Sequence, residues 1–169
     1  PLGHGEHAHK YRPISLAKTQ ESHILQMNRP SANIHWLAMG VDAESTYVPF
    51  FNGITDTPAP YKRGKLPAQL NSAYWIFKHA SVLVDSHLHD FLPLLRDVQK
   101  ERNAAAIKMI AETDRRLPSL KGEARATFLT RQSDGYATDT LNAYKKLSLE
   151  LITKMTDYCE LNFNTDENL

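Results

Sequence analysis

The chain has 169 residues, enough for one domain with a core of useful size. Hydrophobic residues make up 41% and charged residues 23%, ordinary values for a globular protein, and the formal net charge is +1. That balance excludes a general electrostatic pull toward nucleic acid or an anionic membrane, and no apolar run is long enough to span a bilayer. One cysteine, Cys159, excludes an intrachain disulfide and a multi-cysteine zinc site.

Residues 1–10, PLGHGEHAHK, are polar with two glycines, so a mobile lead-in is expected there rather than an apolar leader peptide. A cytoplasmic setting is the corresponding expectation. His4, His7 and His9 fall in that stretch without a fixed scaffold or acidic partners, and no metal site is expected from them. Residues 14–16 and 21–27 read as extended. In the second run Ser22, Ile24 and Gln26 alternate with His23, Leu25 and Met27. Its mixed polarity predicts a strand covered on both faces. Residues 28–31, NRPS, read as a turn, and residues 34–39 resume a strand that Gly40 closes. Residues 46–51 are rich in β-branched and aromatic side chains, with Pro49 marking an edge or a bulge. Asn52-Gly53 favours a reversal, and residues 56–67 hold three prolines and a glycine, a loop between two architectures.

The period then becomes helical. Asn71 or Ser72 suits an N-cap, and Ala73, Phe77, Ala80 and Val84 share the inner face of the helix that follows. A second helix carries Leu88, Leu92, Leu95 and Val98 on one side, with Pro93 in its first turn or at a kink. Leu117-Pro118 interrupts the pattern. In the last helix Leu141, Tyr144, Ser148, Leu151, Met155 and Tyr158 recur at threes and fours, and Gly135 upstream is expected to weaken or divide it. Strands followed by helices predict an α+β fold, with antiparallel strands at the start and long helices after them. The expected organisation is a single domain over residues 11–169, β-rich over 11–55, with a Pro-rich loop at 56–68. Helices occupy 69–160 and a frayed tail 161–169. One sheet with helices on one side leaves its other face bare, a sign that another layer or a partner belongs there.

Several uncommon segments occur in order: Arg12-Pro13-Ile14, then Thr19 with Glu21-Ser22-His23-Ile24-Leu25-Gln26, Trp36-Leu37-Ala38-Met39-Gly40, Val48-Pro49-Phe50 and Ser72-Ala73-Tyr74-Trp75-Ile76-Phe77. In this succession the chain resembles the later part of the bacterial dipeptidase A family, cysteine-dependent N-terminal-nucleophile hydrolases. The resemblance implies a partial αββα sandwich and the C-terminal segment of an enzyme that hydrolyses dipeptides without a cofactor. It also implies a mechanism in which an N-terminal Cys attacks and its own α-amino group serves as base, a group that titrates near about 7.7–8.0. Pro1 offers neither thiol nor hydroxyl, so the isolated chain is expected to be inactive and to need the N-terminal portion of the same protein. Self-association through the bare sheet, giving a homo-oligomer, is a further expectation.

Arg12, Thr19, Glu21, Ser22 and His23 are the candidate residues nearest the chemistry, in orienting rather than attacking roles. Consecutive strand residues face opposite sides, so Ser22 and His23 do not form a nucleophile–base pair with each other. Two readings stay open: one face of this strand, Ser22 or the pair Glu21 and His23, lines a pocket, or these are satisfied polar groups between sheet and helix. Arg12 suits a charge-assisted contact to a carboxylate or a plain structural role. Cys159 reads as a packed thiol on the flank of the last helix. The alternative function is a non-catalytic helical interaction module presenting the stripe from Leu141 to Tyr158 to a partner.

Overall fold

A computed structural model describes residues 15–159. Three strands form one antiparallel sheet in the order β1 (Glu21–Gln26), β2 (Ile34–Met39) and β3 (Val48–Phe51). Three helices follow: α1 (Ala73–Ser86), α2 (Leu88–Arg116) and α3 (Gly122–Met155). The fold is therefore α+β, with long helices after a small sheet. Strand content falls where β-branched and aromatic side chains concentrate, and the bounds of β2 match the run closed by Gly40. Residues 15 and 16 form a bend and no strand, because the Thr19 amide turns back to the Leu16 carbonyl at 2.8 Å.

Pro49 does lie on an edge strand, since β3 pairs with β2 alone. That edge is closed by α3: the Phe51 amide donates to Ser133 Oγ at 3.2 Å. The opposite edge, β1, is covered by nothing among the described residues. Expected to be clad on both faces, β1 is mostly exposed on both, as its polar residues would allow. Its connection to β2 is pinned instead. Arg29 reaches Asp114 at 2.5 Å and Ala32 O at 2.9 Å, Ser31 also bonds Asp114, and Arg125 donates to Ser31 O at 2.7 Å.

The helices enclose a core that runs from Val48 and Phe50 through Ile76, Phe77 and Val84 to Tyr144 and Leu151. The Phe77 and Tyr144 rings meet edge to face at 4.5 Å. Ala73, Phe77, Ala80 and Val84 form the buried side of α1, as their spacing predicts. Ser72 stands at the N-cap, but its hydroxyl donates to Arg63 O at 2.6 Å and fastens the Pro-rich loop. In α2 the buried line is Phe91, Leu95, Gln99, Ala106 and Ile110, and Leu88 is left exposed. Pro93 sits one turn deeper than expected and α2 continues past it. Likewise Gly135 does not divide α3, which runs unbroken for 34 residues because packing outweighs the roughly 1 kcal/mol propensity penalty of one glycine.

Leu141, Tyr144, Ser148 and Leu151 are buried inside this core. The stripe that suggested an interaction module is consumed by the chain's own packing, and only its end, Tyr158, is exposed. Tyr158 stacks on His87 with ring centroids 4.5 Å apart. Cys159 is exposed rather than packed, because the helical course ends before it and its thiol reaches only the Thr156 carbonyl at 3.5 Å. Among the described residues no helix is long and apolar enough to cross a membrane.

A buried polar knot holds the turn between β2 and β3, a single 3-10 turn over Asp42–Glu44. Gln99 donates to Ala43 O at 3.1 Å and Ser45 O at 2.6 Å, while the Tyr144 hydroxyl donates to Glu44 O at 3.1 Å and meets Thr46 Oγ1 at 3.0 Å. Burial pushes the Tyr144 hydroxyl well above the ordinary tyrosine range, so it stays a neutral donor here.

Candidate functional site

Strand pairing sorts the sheet into two rows. On the helix-facing side lie Ser22, Ile24 and Gln26 of β1 with Ile34, Trp36 and Ala38 of β2. On the other side Glu21 stands opposite Met39, His23 opposite Leu37, and Leu25 opposite His35, with Phe50 next to His35 and Val48 next to Leu37. Val48 and Phe50 are themselves buried in the helical core, so this outer side is open only toward β1. Over this outer side runs an open groove of about 660 Å³, walled at its far end by the segment from Asn52 to Tyr61. Its floor is apolar and includes Leu25, Leu37, Met39 and Phe50. Leu25 is 60% exposed, a large apolar side chain left in water.

Polar groups enter at defined points. Glu21 lines the groove at the start of β1, and its carboxylate lies 3.5 Å from His23 Nδ1, two residues on along the same face. The His23 ring meets His35 edge-on with centroids 5.4 Å apart, which extends the polar line across to β2. Tyr61 packs its ring edge against Phe50 at 5.2 Å. Burial drives the Tyr61 hydroxyl far above the usual tyrosine range, and that hydroxyl has no hydrogen-bond partner among the described residues.

The structure separates the expected site residues. Glu21 and His23 share the outer face with the groove. Ser22 faces the other way, and its hydroxyl meets Tyr47 Oη at 2.7 Å. Thr19 closes a local turn, accepting from the Leu16 amide at 3.0 Å. Arg12, like Pro1, His4, His7, His9 and the residues after 159, lies outside the described residues. The sequence reading passed over His35, Leu37 and Met39 as lining groups, although their alternation in residues 34–39 was the available signal. Tyr61 had none, since a proline-rich loop carries no period. Among the described residues no three His, Cys, Asp or Glu side chains gather as metal ligands.

A second groove, about 510 Å³, lies along α3 and is lined by Thr55, Thr130, Arg131, Asp134 and Asp139 among others. Desolvation and the charge of Asp56 raise the Asp134 carboxyl above its ordinary value, and one of its oxygens is buried without a partner. It holds no base–nucleophile pair.

Comparison with known proteins bears on the sheet. The family model described as peptidase family C69 matches residues 1–101, which takes in all three strands, the loop to Tyr61, α1 and the start of α2. A probable dipeptidase of Latilactobacillus sakei is 36% identical over 176 residues, covering all of this chain. The chain belongs to peptidase family C69. A probable dipeptidase B of Lactococcus lactis is 27% identical over 93% of the chain, and dipeptidase A of Lactobacillus helveticus 26% identical over 92%. The chain spans only 37%, 34% and 32% of the lengths of these three relatives. The outer groove falls wholly inside the segment matched by the C69 family, whereas the α3 groove lies mainly beyond it.

Proposed function

We propose that this chain is the substrate-side part of a family C69 dipeptidase, with the outer sheet face as one wall of the dipeptide site. The observation that carries this reading is the open, apolar groove inside the family-matched segment, bordered by Glu21 and His23. The relatives' names supply the substrate class. In this reading the sheet and its helices are half of an αββα sandwich within a single domain over residues 11–169, and a second layer closes the groove into a slot.

The attacking thiol belongs to the rest of the enzyme. Neither local candidate meets a base: Ser22 points away from His23, and Cys159 touches only a backbone carbonyl. In the mechanism that the family resemblance implies, an N-terminal Cys attacks the peptide carbonyl while its free α-amine takes the thiol proton and passes it to the departing amino acid, and water then hydrolyses the acyl-enzyme, with no cofactor. Glu21 and His23 orient the substrate. Arg12, Thr19 and Ser22 are kept as supporting residues, Thr19 and Ser22 by holding the backbone on either side of Glu21. The protein works in the cytoplasm as a homo-oligomer. The test is to compare this chain with a form extended by the flanking coding sequence, measuring amino-acid release from a panel of dipeptides. Release by the extended form alone is the expected result. Turnover by this chain alone contradicts the assignment of the thiol, and no turnover by either contradicts the dipeptidase reading.

A further inference from the structure

We infer that Glu21 receives the free α-ammonium of the substrate and that the floor beside it selects an uncharged, apolar side chain. The inference deepens the dipeptidase reading and rests on it for the identity of the substrate. Three features of the groove lead there. Among the described lining residues Glu21 is the only carboxylate, and none is Lys or Arg. The Glu21 side chain is 53% exposed, so it is open to a ligand, and its recorded side-chain neighbour is the His23 imidazole at 3.5 Å rather than a fixed cation. Next to it on the same face lie Met39 and Leu37, half-buried, then Leu25 and Phe50 farther along.

The spacing suits a short peptide. Directly paired residues stand about 5 Å apart across strands and same-face residues about 7 Å apart along one. An extended dipeptide has its ammonium and carboxylate separated by about two residue rises of 3.3 Å. With the ammonium at Glu21, the first side chain rests over Met39 and Leu37, and the second reaches toward Leu25. A substrate carboxylate side chain would find no Lys or Arg among the described floor residues to offset its desolvation. An acylated amine has no charge to offer Glu21. The ligand class is therefore a small molecule with a free α-amine and apolar side chains.

The probes are L-leucinamide, N-acetyl-L-leucinamide and L-isoglutamine, titrated by calorimetry and amide-shift NMR into this chain and its Glu21→Gln, Glu21→Asp and Leu25→Ser variants. Leucinamide is expected to bind saturably, about tenfold more weakly to Glu21→Gln and with an intermediate loss for Glu21→Asp, as a charge-assisted contact requires. The acetylated probe and isoglutamine are expected to bind at least about tenfold more weakly than leucinamide, with the acetylated probe indifferent to Glu21→Gln. Leu25→Ser, which the single side chain of leucinamide does not reach, is expected to leave leucinamide binding unchanged and so serves as the control for a general loss of fold. Equal binding of the acetylated probe, an unaltered Glu21→Gln or no saturable binding overturns the inference. Turnover separates it from the wider reading. If leucinamide binds as described while the extended form cleaves no dipeptide, the dipeptidase reading falls and the ammonium site stands. If the extended form cleaves Leu-Leu and Glu21→Gln leaves KM unchanged, the reading stands and the ammonium site falls.

Discussion

The sheet has two sides that obey different rules. Toward the helices, Ile34, Ala38 and Phe51 are buried, the β3 edge is sealed by Ser133 of α3, and polar atoms such as Tyr144 Oη find partners. On the outer side Leu25 of β1 and Met27 just past its end stand in water, and the outer edge of β1 has no neighbour among the described residues. The two sides differ most toward β1, since at the β3 end Val48 and Phe50 of the outer row are buried in the helical core, and Ile24 of the inner row is exposed like Leu25.

Substitutions should separate the two sides. Phe77→Ala, which empties a fully buried ring site against Tyr144, is expected to cost about 3–5 kcal/mol in chemical denaturation. Tyr144→Phe keeps the ring but leaves Glu44 O without that donor, for an expected loss of about 1–2 kcal/mol. Asp114→Ala releases both Arg29 and Ser31, and about 1 kcal/mol is expected because the carboxylate is partly solvated. If Asp114→Ala costs more than Tyr144→Phe, the connection between β1 and β2 and not the helical core limits stability.

Glu44 gives a pH test on the sealed side. Partial burial, then the nearby charge of Asp85, raises its carboxyl above the ordinary glutamate value. A raised carboxyl favours the protonated form in the native state. Its contribution is thus fully present below the unfolded glutamate value and is lost as pH rises through the folded one. Glu44→Gln should therefore raise the melting temperature at neutral pH, by less than about 1 kcal/mol in free energy because the group is half in solvent. That gain should vanish in acid. Smallest of all, Leu25→Ser on the outer side should change stability by no more than about 0.5 kcal/mol.

What was legible in the sequence follows the same division. Periodicity marked β2, the inner face of α1 and the stripe of α3, because those residues answer to one consistent environment. It marked β1 as covered on both faces where the strand is exposed, since mixed polarity suits an exposed strand as well as a doubly buried one. Pro93 and Gly135 were given too much weight: each perturbs a helix locally, while burial of Leu95 or Tyr136 and Leu141 nearby decides its continuation. For the candidate site, the resemblance drew attention to β1, and the pairing of Glu21 with His23 is implicit in their spacing of two. Which face opens on a groove depends on where residues 52–61 fold back, and a loop built of prolines and glycines records no such direction. The same long-range closure brought Tyr61 to Phe50.

The most direct test of the outer face is an amide-shift map of this chain during titration with Leu-Leu. The expected result is a contiguous set of perturbed residues on the outer row, centred on Glu21, Leu37, Met39 and Leu25, with the helix-facing core silent. Perturbations centred on Thr130, Asp134 and Asp139 along α3 would contradict it by assigning the ligand to the wrong groove.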